Sequence, residues 1–236
     1  MDKNTALVVP EINKGDLSKY KSKIIANPNC TTIISLMAIK PLYDLASINR
    51  IVATSFQSVS GAGNMGMSEL ISDSKSFLSG SRRPKGTVFE RNIAFNAIPK
   101  IGDITNNLYS QEEMKLHNES RKILSNNKIF ITATTVRVPI LRSHSISLNI
   151  EFNKNVTLSS AKKALSNFPG LKNINITDSM QYPTPLDSSN KDHCLIGRLR
   201  KDYSVKFGLS LWVVGDQIRK GAALNAVQIA ECLQKN

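Results

Sequence analysis

Cysteine is scarce in this sequence: Cys30, Cys194 and Cys232 lie far apart, with no CxxC pair. An odd number at such spacing fits neither a disulfide framework nor a zinc site, so no metal centre is expected and a cysteine that matters acts alone. Long apolar runs are missing too, none approaching the roughly 18–20 residues that span a bilayer. Charged residues precede the first hydrophobic run, MDKNTALVVPEINKGD, so neither a membrane span nor a secretory signal is expected, and the cytoplasm is the expected compartment. Glycine and proline are few, 12 and 9, which excludes collagen-like and low-complexity chains.

The 236 residues are 41% hydrophobic, enough for one large domain or two modest ones. Their net charge is +13, and a basic chain raises nucleic acid as a partner. The cations, however, are scattered singly apart from Arg82, Arg83 and Lys85, and then Arg198, Arg200 and Lys201. No RNP-like aromatic pattern accompanies them, and AT-rich coding yields the same Lys, Asn and Ile bias, so no nucleic-acid partner is expected. The charge suits small anions such as phosphate, selected by geometry.

Periodicity organises the chain. Residues 1–29 read as a loop with two extended pieces, ALVVP and KIIAN, around a polar turn. From Cys30 the pattern becomes helical, with Asn29 as cap and Ile33, Leu36, Met37 and Lys40 at three- and four-residue spacing. RIVATSFQSVS reads as a strand, followed by a glycine loop GAGNMG and a helix around MSELISDSKSFL. FERNIAFNAIP reads as a second strand and SQEEMKLHNESRKILS as a polar helix. NKIFITATTVRVPI and SHSISLNIEF give the clearest strand patterns; in the latter His144, Ile146, Leu148, Ile150 and Phe152 share the core-facing parity. VTLSSAKKALSNF reads as a helix and QYPTPLDSSNKDH as irregular. Val205, Phe207, Leu209, Leu211 and Val213 alternate along a strand, and GDQIRKGAALNAVQIAECLQ closes the chain as a helix with Ala222, Ala226 and Ala230 on one side. Helices interspersed with directly successive strands predict an α+β fold with a mixed, largely antiparallel sheet.

A cysteine at the first turn of a helix meets unpaired N–H groups and the positive end of the dipole, which favour the nucleophilic thiolate; Cys30 is equally readable as a small buried hydrophobe. His144 is a candidate base or simply a hydrogen-bonded strand-edge residue. Arg137, inside a hydrophobic strand, needs an anionic partner, from an internal Asp or Glu or from a ligand. Glu112 and Lys115, three apart on the polar helix, form either ligand contacts or a solvated pair. Gly61, Gly63 and Gly66 spell GxGxxG after a strand, but the acid expected about twenty residues on in a dinucleotide fold is replaced by SRRPKGTVFER.

Taken in order, NPNCTT, FQSVSGAG, IAFNAIP, EEMKLHNESRKIL, VRVPILRSHS, IGRLRKD and GDQIRKGAALNAVQIAE resemble aspartate-semialdehyde dehydrogenase along essentially the whole chain. The related N-acetyl-gamma-glutamyl-phosphate reductases resemble NPGCY at the cysteine and rank second; a non-catalytic dimerisation remnant is the other alternative. The resemblance implies the catalytic and dimerisation domain of the glyceraldehyde-3-phosphate dehydrogenase-like architecture, with helices on one face of the sheet. It implies reversible, phosphate-dependent oxidation of L-aspartate 4-semialdehyde to 4-phospho-L-aspartate with NADP, by a homodimer. Cys30 would match the nucleophile, His144 the acid/base residue and Gln57 the amide that orients the carbonyl. Arg137 would hold the substrate carboxylate, Glu112 its amino group, Lys115 the phosphate, and Asn29 would border the substrate. Ser60, Gly61 and Gln217 match contacts to the nicotinamide half of the cofactor.

Family members begin with a nucleotide-binding domain whose first glycine turn holds the cofactor phosphates, and the resemblance of these 236 residues begins only near that domain's end. Residues 1–29 would be its remnant, 30–214 the catalytic and dimerisation domain, and 215–236 a helix packing on the nucleotide-binding domain. Weak NADP binding and little dehydrogenase activity are therefore expected of the chain alone, with self-association through the Ala-rich side of its last helix.

Overall fold

The computed structural model describes residues 4–20, 22–81, 86–173 and 181–234. The basic cluster Arg82, Arg83 and Lys85 lies outside them. In chain order the elements are β1 (Ala6–Leu7), α1 (Pro10–Asn13), β2 (Ile25–Ala26), α2 (Cys30–Tyr43), β3 (Ile48–Gln57), α3 (Gly63–Leu78), α4 (Gln111–Ile123), β4 (Phe130–Arg137), β5 (His144–Phe152), α5 (Leu158–Asn167), β6 (Leu171–Asn173), α6 (Pro185–Ser188), β7 (Cys194–Asp202), β8 (Gly208–Gly215) and α7 (Leu224–Gln234).

Local chemistry sets the helix starts. Asn29 is the N-cap of α2, its side-chain oxygen accepting from the N–H groups of Thr31 at 3.0 Å and Thr32 at 3.3 Å. Ser110 and Glu113 form a capping box at α4, and Thr157 caps α5 through the Ser160 N–H. The three- and four-residue spacing in α2 suggested one apolar face. Ile33, Ile34, Leu36, Met37, Ala38, Ile39 and Leu42 are all buried, so this helix is enclosed on every side.

Six strands run in the order β4-β3-β5-β8-β7-β6, with β3–β4 and β6–β7 parallel and the other three pairings antiparallel. The sheet is mixed and largely antiparallel, as expected. Register stacks Ile51, Ala53, Ile146, Leu148, Ile150, Leu209 and Leu211 on one face, where they form the main core with residues of α2, α4 and α5. On the other face Phe56 packs against Trp212, whose indole N–H donates to the Pro183 carbonyl. The short α6 approaches β8 there. Residues 4–29 form a small parallel β1–β2 pair and pack on α7, with Ala6, Val8 and Ile229 in one cluster.

Several expectations are corrected. The GAGNMG segment is not a loop: Val59–Ala62 form a 3₁₀ turn and α3 begins at Gly63. FERNIAFNAIP forms no strand; Phe89, Ile93 and Ala94 pack on Val59 and Leu70 in a second cluster, and Ile98 makes one isolated bridge to Arg137. The strand expected from Val205 begins at Gly208. The closing helix starts as a π-turn over Arg219–Ala223 before α7. Along α7, Ala226, Ala230 and Val227 are exposed, while Ala222 is half-buried.

Candidate active site

The sheet assembles the site at one end. The last residues of parallel β3 and β4, Gln57 and Arg137, pair with each other; Phe56 pairs with Ser145, and His144 pairs with Gly215 at the end of β8. Residues from positions 57, 137, 144 and 217 therefore converge because of register, and the N-terminus of α2 brings Cys30 to the same end. The π-turn completes the wall: a Cβ on Gly221 would lie only 3.0 Å from Cys30 Cβ, so a side chain there would crowd the cysteine.

Around Cys30 the polar groups are interlocked. Asn29 Nδ2 donates to Glu112 Oε1 at 2.9 Å, and the Asn29 N–H donates to Glu119 Oε2 at 2.9 Å, tying the start of α2 to α4. Gln57 Nε2 reaches Thr31 Oγ1 at 2.8 Å and Glu112 Oε1 at 3.1 Å. Lys115 Nζ lies 3.5 Å from Glu112 Oε2; Glu112 is buried and Lys115 about half exposed, so this is not a fully solvated pair. Part of Cys30 reaches solvent, yet burial of the thiol and the nearby Glu112 carboxylate push it up to about 12. Hydrogen bonds from Thr31 and the charge of Arg137 pull the other way and are outweighed. Of the two readings left open for Cys30, burial and the Glu112 charge favour the protonated thiol over the helix-end thiolate. Burial likewise raises Glu119 above the ordinary carboxylate range, against the Asn29 and Thr32 hydrogen bonds.

His144 is fully buried at the start of β5. Its Nδ1 receives the Ser58 N–H at 3.1 Å and lies 3.1 Å from Ser58 Oγ. Its Nε2 has no hydrogen-bond partner among the described residues. Burial first, and then the Arg137 charge, push the imidazole down to about 3, so the ring is neutral. Ser58 Oγ continues to Ser60 Oγ at 3.1 Å, which accepts from Gln217 Nε2, while Gln217 Oε1 accepts from the Ser143 N–H at 2.8 Å. The three residues matched to the nicotinamide half thus lie together beside His144. Ser60 and Gln217 are buried and Gly61 is exposed. A Cβ on Gly61 would lie 2.8 Å from Arg137 Nη1 and 3.2 Å from His144 Cε1.

Arg137 has the missing partner of the site. It is buried, its guanidinium donates to the Ser58 carbonyl at 2.7 Å, and it stacks over Phe89 with 5.8 Å to the ring centre. Among the described residues no carboxylate lies within ion-pair distance of the guanidinium, though the Glu112 charge acts on it from farther off, against the downward push of burial. It acts electrostatically on both Cys30 and His144, and it lines a cavity of about 250 Å³ with Phe89, Ile98 and Lys100. Larger cavities lie elsewhere, one of about 460 Å³ over Trp212 on the opposite sheet face.

Three residues escaped the sequence reading. Ser58 holds both His144 and Arg137. Asp216, fully buried, accepts from Arg142 Nε at 2.7 Å and from the Asn190 and Ile218 N–H groups, fixing the chain at Gln217. Glu119 lies two helical turns beyond Glu112, so the shared α4 face was the available signal. Among the described residues no group of His, Cys, Asp and Glu is arranged to hold a metal, and no helix is long and apolar enough to cross a membrane.

A thiol at a helix start, a neutral imidazole with a free nitrogen and an unpaired buried guanidinium can together add sulfur to a carbonyl in an anionic molecule. The chain matches the family described as semialdehyde dehydrogenase, dimerisation domain, over residues 39–220. Aspartate-semialdehyde dehydrogenase of Aquifex aeolicus is 44% identical over 236 residues, 100% of this chain and 69% of that protein. The enzyme of that name from Synechocystis sp. is 48% identical over 227 residues, 96% of this chain and 67% of the other. Aspartate semialdehyde dehydrogenase II from Vibrio cholerae superposes with a TM-score of 0.95 at 41% identity, covering 100% of this chain and 70% of that one; a structure of that enzyme complexed with ASA superposes equally at 40% identity. The chain belongs to the aspartate-semialdehyde dehydrogenase family.

Proposed function

We propose that this chain carries the catalytic and dimerisation part, residues 30–214, of an enzyme that reversibly converts L-aspartate 4-semialdehyde and phosphate to 4-phospho-L-aspartate with NADP. The observation that carries the reading is Arg137: a buried guanidinium with no carboxylate at ion-pair distance among the described residues, acting on both Cys30 and His144, supports recognition of a substrate carboxylate at the reacting end of the sheet. Glu112, fixed by Asn29 and Gln57, would take the substrate amino group, and Lys115 on the same helix the phosphate. Gln57 would orient the carbonyl and His144 would serve as the acid/base residue. The ASA complex of the Vibrio cholerae relative supports the semialdehyde as substrate.

The nicotinamide half of NADP, the hydride acceptor, fits the exposed Gly61 backbone beside His144, braced by Ser60 and Gln217. Residues 1–29 and 215–236 would adjoin the nucleotide-binding domain. A homodimer, cytoplasmic, in the aspartate-derived biosynthesis of lysine, threonine, methionine and diaminopimelate completes the reading.

The acyl half-reaction needs no nicotinamide. Cys30 sulfur attacks the acyl carbon of 4-phospho-L-aspartate; the C–S bond forms, the C–O bond to phosphorus breaks, and phosphate leaves with the thiol proton. Intact mass should therefore rise by one aspartyl group in the wild type and stay unchanged in Cys30→Ala. Equal phosphate release by both proteins overturns the reading.

A further inference from the structure

Ser58 occupies a place to which the proposed function assigns no role. It follows the last residue of β3 in an extended conformation, φ −64° and ψ 153°. Its N–H and hydroxyl face His144 Nδ1, and its carbonyl accepts from Arg137 Nη1 at 2.7 Å and from the Gly61 N–H at 3.2 Å. One residue thus fixes the imidazole with one side of its backbone and the guanidinium with the other.

A backbone amide can only donate, which settles the roles across the 3.1 Å contact. Nδ1 accepts, so the proton of the neutral ring is on Nε2. Were Nδ1 protonated, the Ser58 N–H would face another N–H in a fully buried place; with the proton on Nε2 that amide keeps its acceptor, and the free Nε2–H is left to meet a ligand. The hydroxyl of Ser58 does not alter this, because it can donate or accept, whereas the amide cannot turn. The other charged or titratable groups near the ring are Arg137, which opposes any added positive charge, and beyond it Cys30 and Glu112.

We infer that Ser58 is a positioning residue that locks His144 in its Nε2–H form, so that the substrate meets a ring N–H donor. The single buried polar atom of His144 without a partner is Nε2, the atom this assigns as the free donor. Burial and the Arg137 charge, which outweigh a backbone hydrogen bond at Ser143, keep the ring neutral and agree with a single ring proton. That the donor meets a substrate oxygen rests on the proposed function; the proton's location does not.

The test is a long-range ¹H–¹⁵N correlation spectrum of the ¹⁵N-histidine-labelled 236-residue chain. It holds only His117, His144 and His193, and His144→Asn assigns the signal. The expected spectrum has the Nε2–H pattern for His144, favoured about tenfold or more over Nδ1–H. It persists down to about pH 5, and Ser58→Ala, which keeps the amide, leaves it unchanged. An Nδ1–H or doubly protonated pattern at neutral pH, or conversion to either in Ser58→Ala, overturns the inference. Aspartyl transfer to Cys30 is scored separately: its failure with an Nε2–H ring sinks the proposed function alone, and its success with an Nδ1–H ring sinks this inference alone.

Discussion

Replacing Glu112 by Gln should make Cys30 more reactive although nothing is added to the thiol. Burial and the Glu112 charge together move the thiol from its ordinary range to about 12, leaving roughly three powers of ten less thiolate near neutral pH than in a free cysteine. Burial is the larger cause and persists in the variant. The glutamine amide keeps an oxygen for Asn29 Nδ2 and Gln57 Nε2, which in the wild type approach Glu112 Oε1 at 2.9 and 3.1 Å, so the scaffold is retained while the charge is lost. Removing a like charge at this range should lower the thiol by about one unit and speed alkylation about tenfold at fixed pH. The assay is peptide-resolved iodoacetamide labelling between about pH 7 and 10, where the wild-type rate should climb about tenfold per unit without a plateau. A wild-type plateau below about pH 9, or no acceleration in Glu112→Gln, refutes the reasoning.

Asn29→Ala removes the α2 cap and should cost about 0.5–2 kcal/mol, read from denaturant unfolding. In Gly61→Ala the new methyl meets Arg137 and His144, so stability should fall by about 1–3 kcal/mol and acyl transfer should be lost; wild-type transfer rates would show the crowding to be harmless. Lys220 is buried against Glu11, Asn225 and Gln228, so Lys220→Met should destabilise by about 3–5 kcal/mol, with the double change Lys220→Met, Glu11→Gln recovering part of the loss in chemical melts. The Glu69 carboxylate resists the upward push of burial because Val88, Thr87 and Phe89 donate to it, which holds it below its ordinary value. Its stabilisation should be complete above the unfolded value and fade as pH falls through the folded one, seen as faster amide exchange at Val88 and Phe89 in acid.

The start of α2 was legible because capping is local: Asn29 and the N–H groups of Thr31 and Thr32 suffice. The core face of β5 was legible because alternation survives in a strand with one buried side. β7 escaped because a register shift between Gly197 and Arg200, with Arg198 at φ 58°, breaks its alternation and turns charged residues outward. FERNIAFNAIP misled because its apolar residues serve a cluster on α3 rather than a ladder. At the site, only the placement of Cys30 came from local chemistry; the other residues came from the family resemblance, since register alone joins positions 57, 137 and 144. The charge state of Cys30 was out of reach, because Glu112 approaches it from a helix more than eighty residues away. Ser58 was invisible for the same reason: its backbone, not its residue type, does the positioning.

Peptide-level mapping of the chain after exposure to 4-phospho-L-aspartate tests most directly whether α2, β4 and β5 build one reacting site. The account predicts the acyl group on Cys30 and about tenfold or slower transfer in Arg137→Ala, where the substrate carboxylate loses its cation. Acylation of Cys232 in place of Cys30, or undiminished transfer in Arg137→Ala, would contradict it.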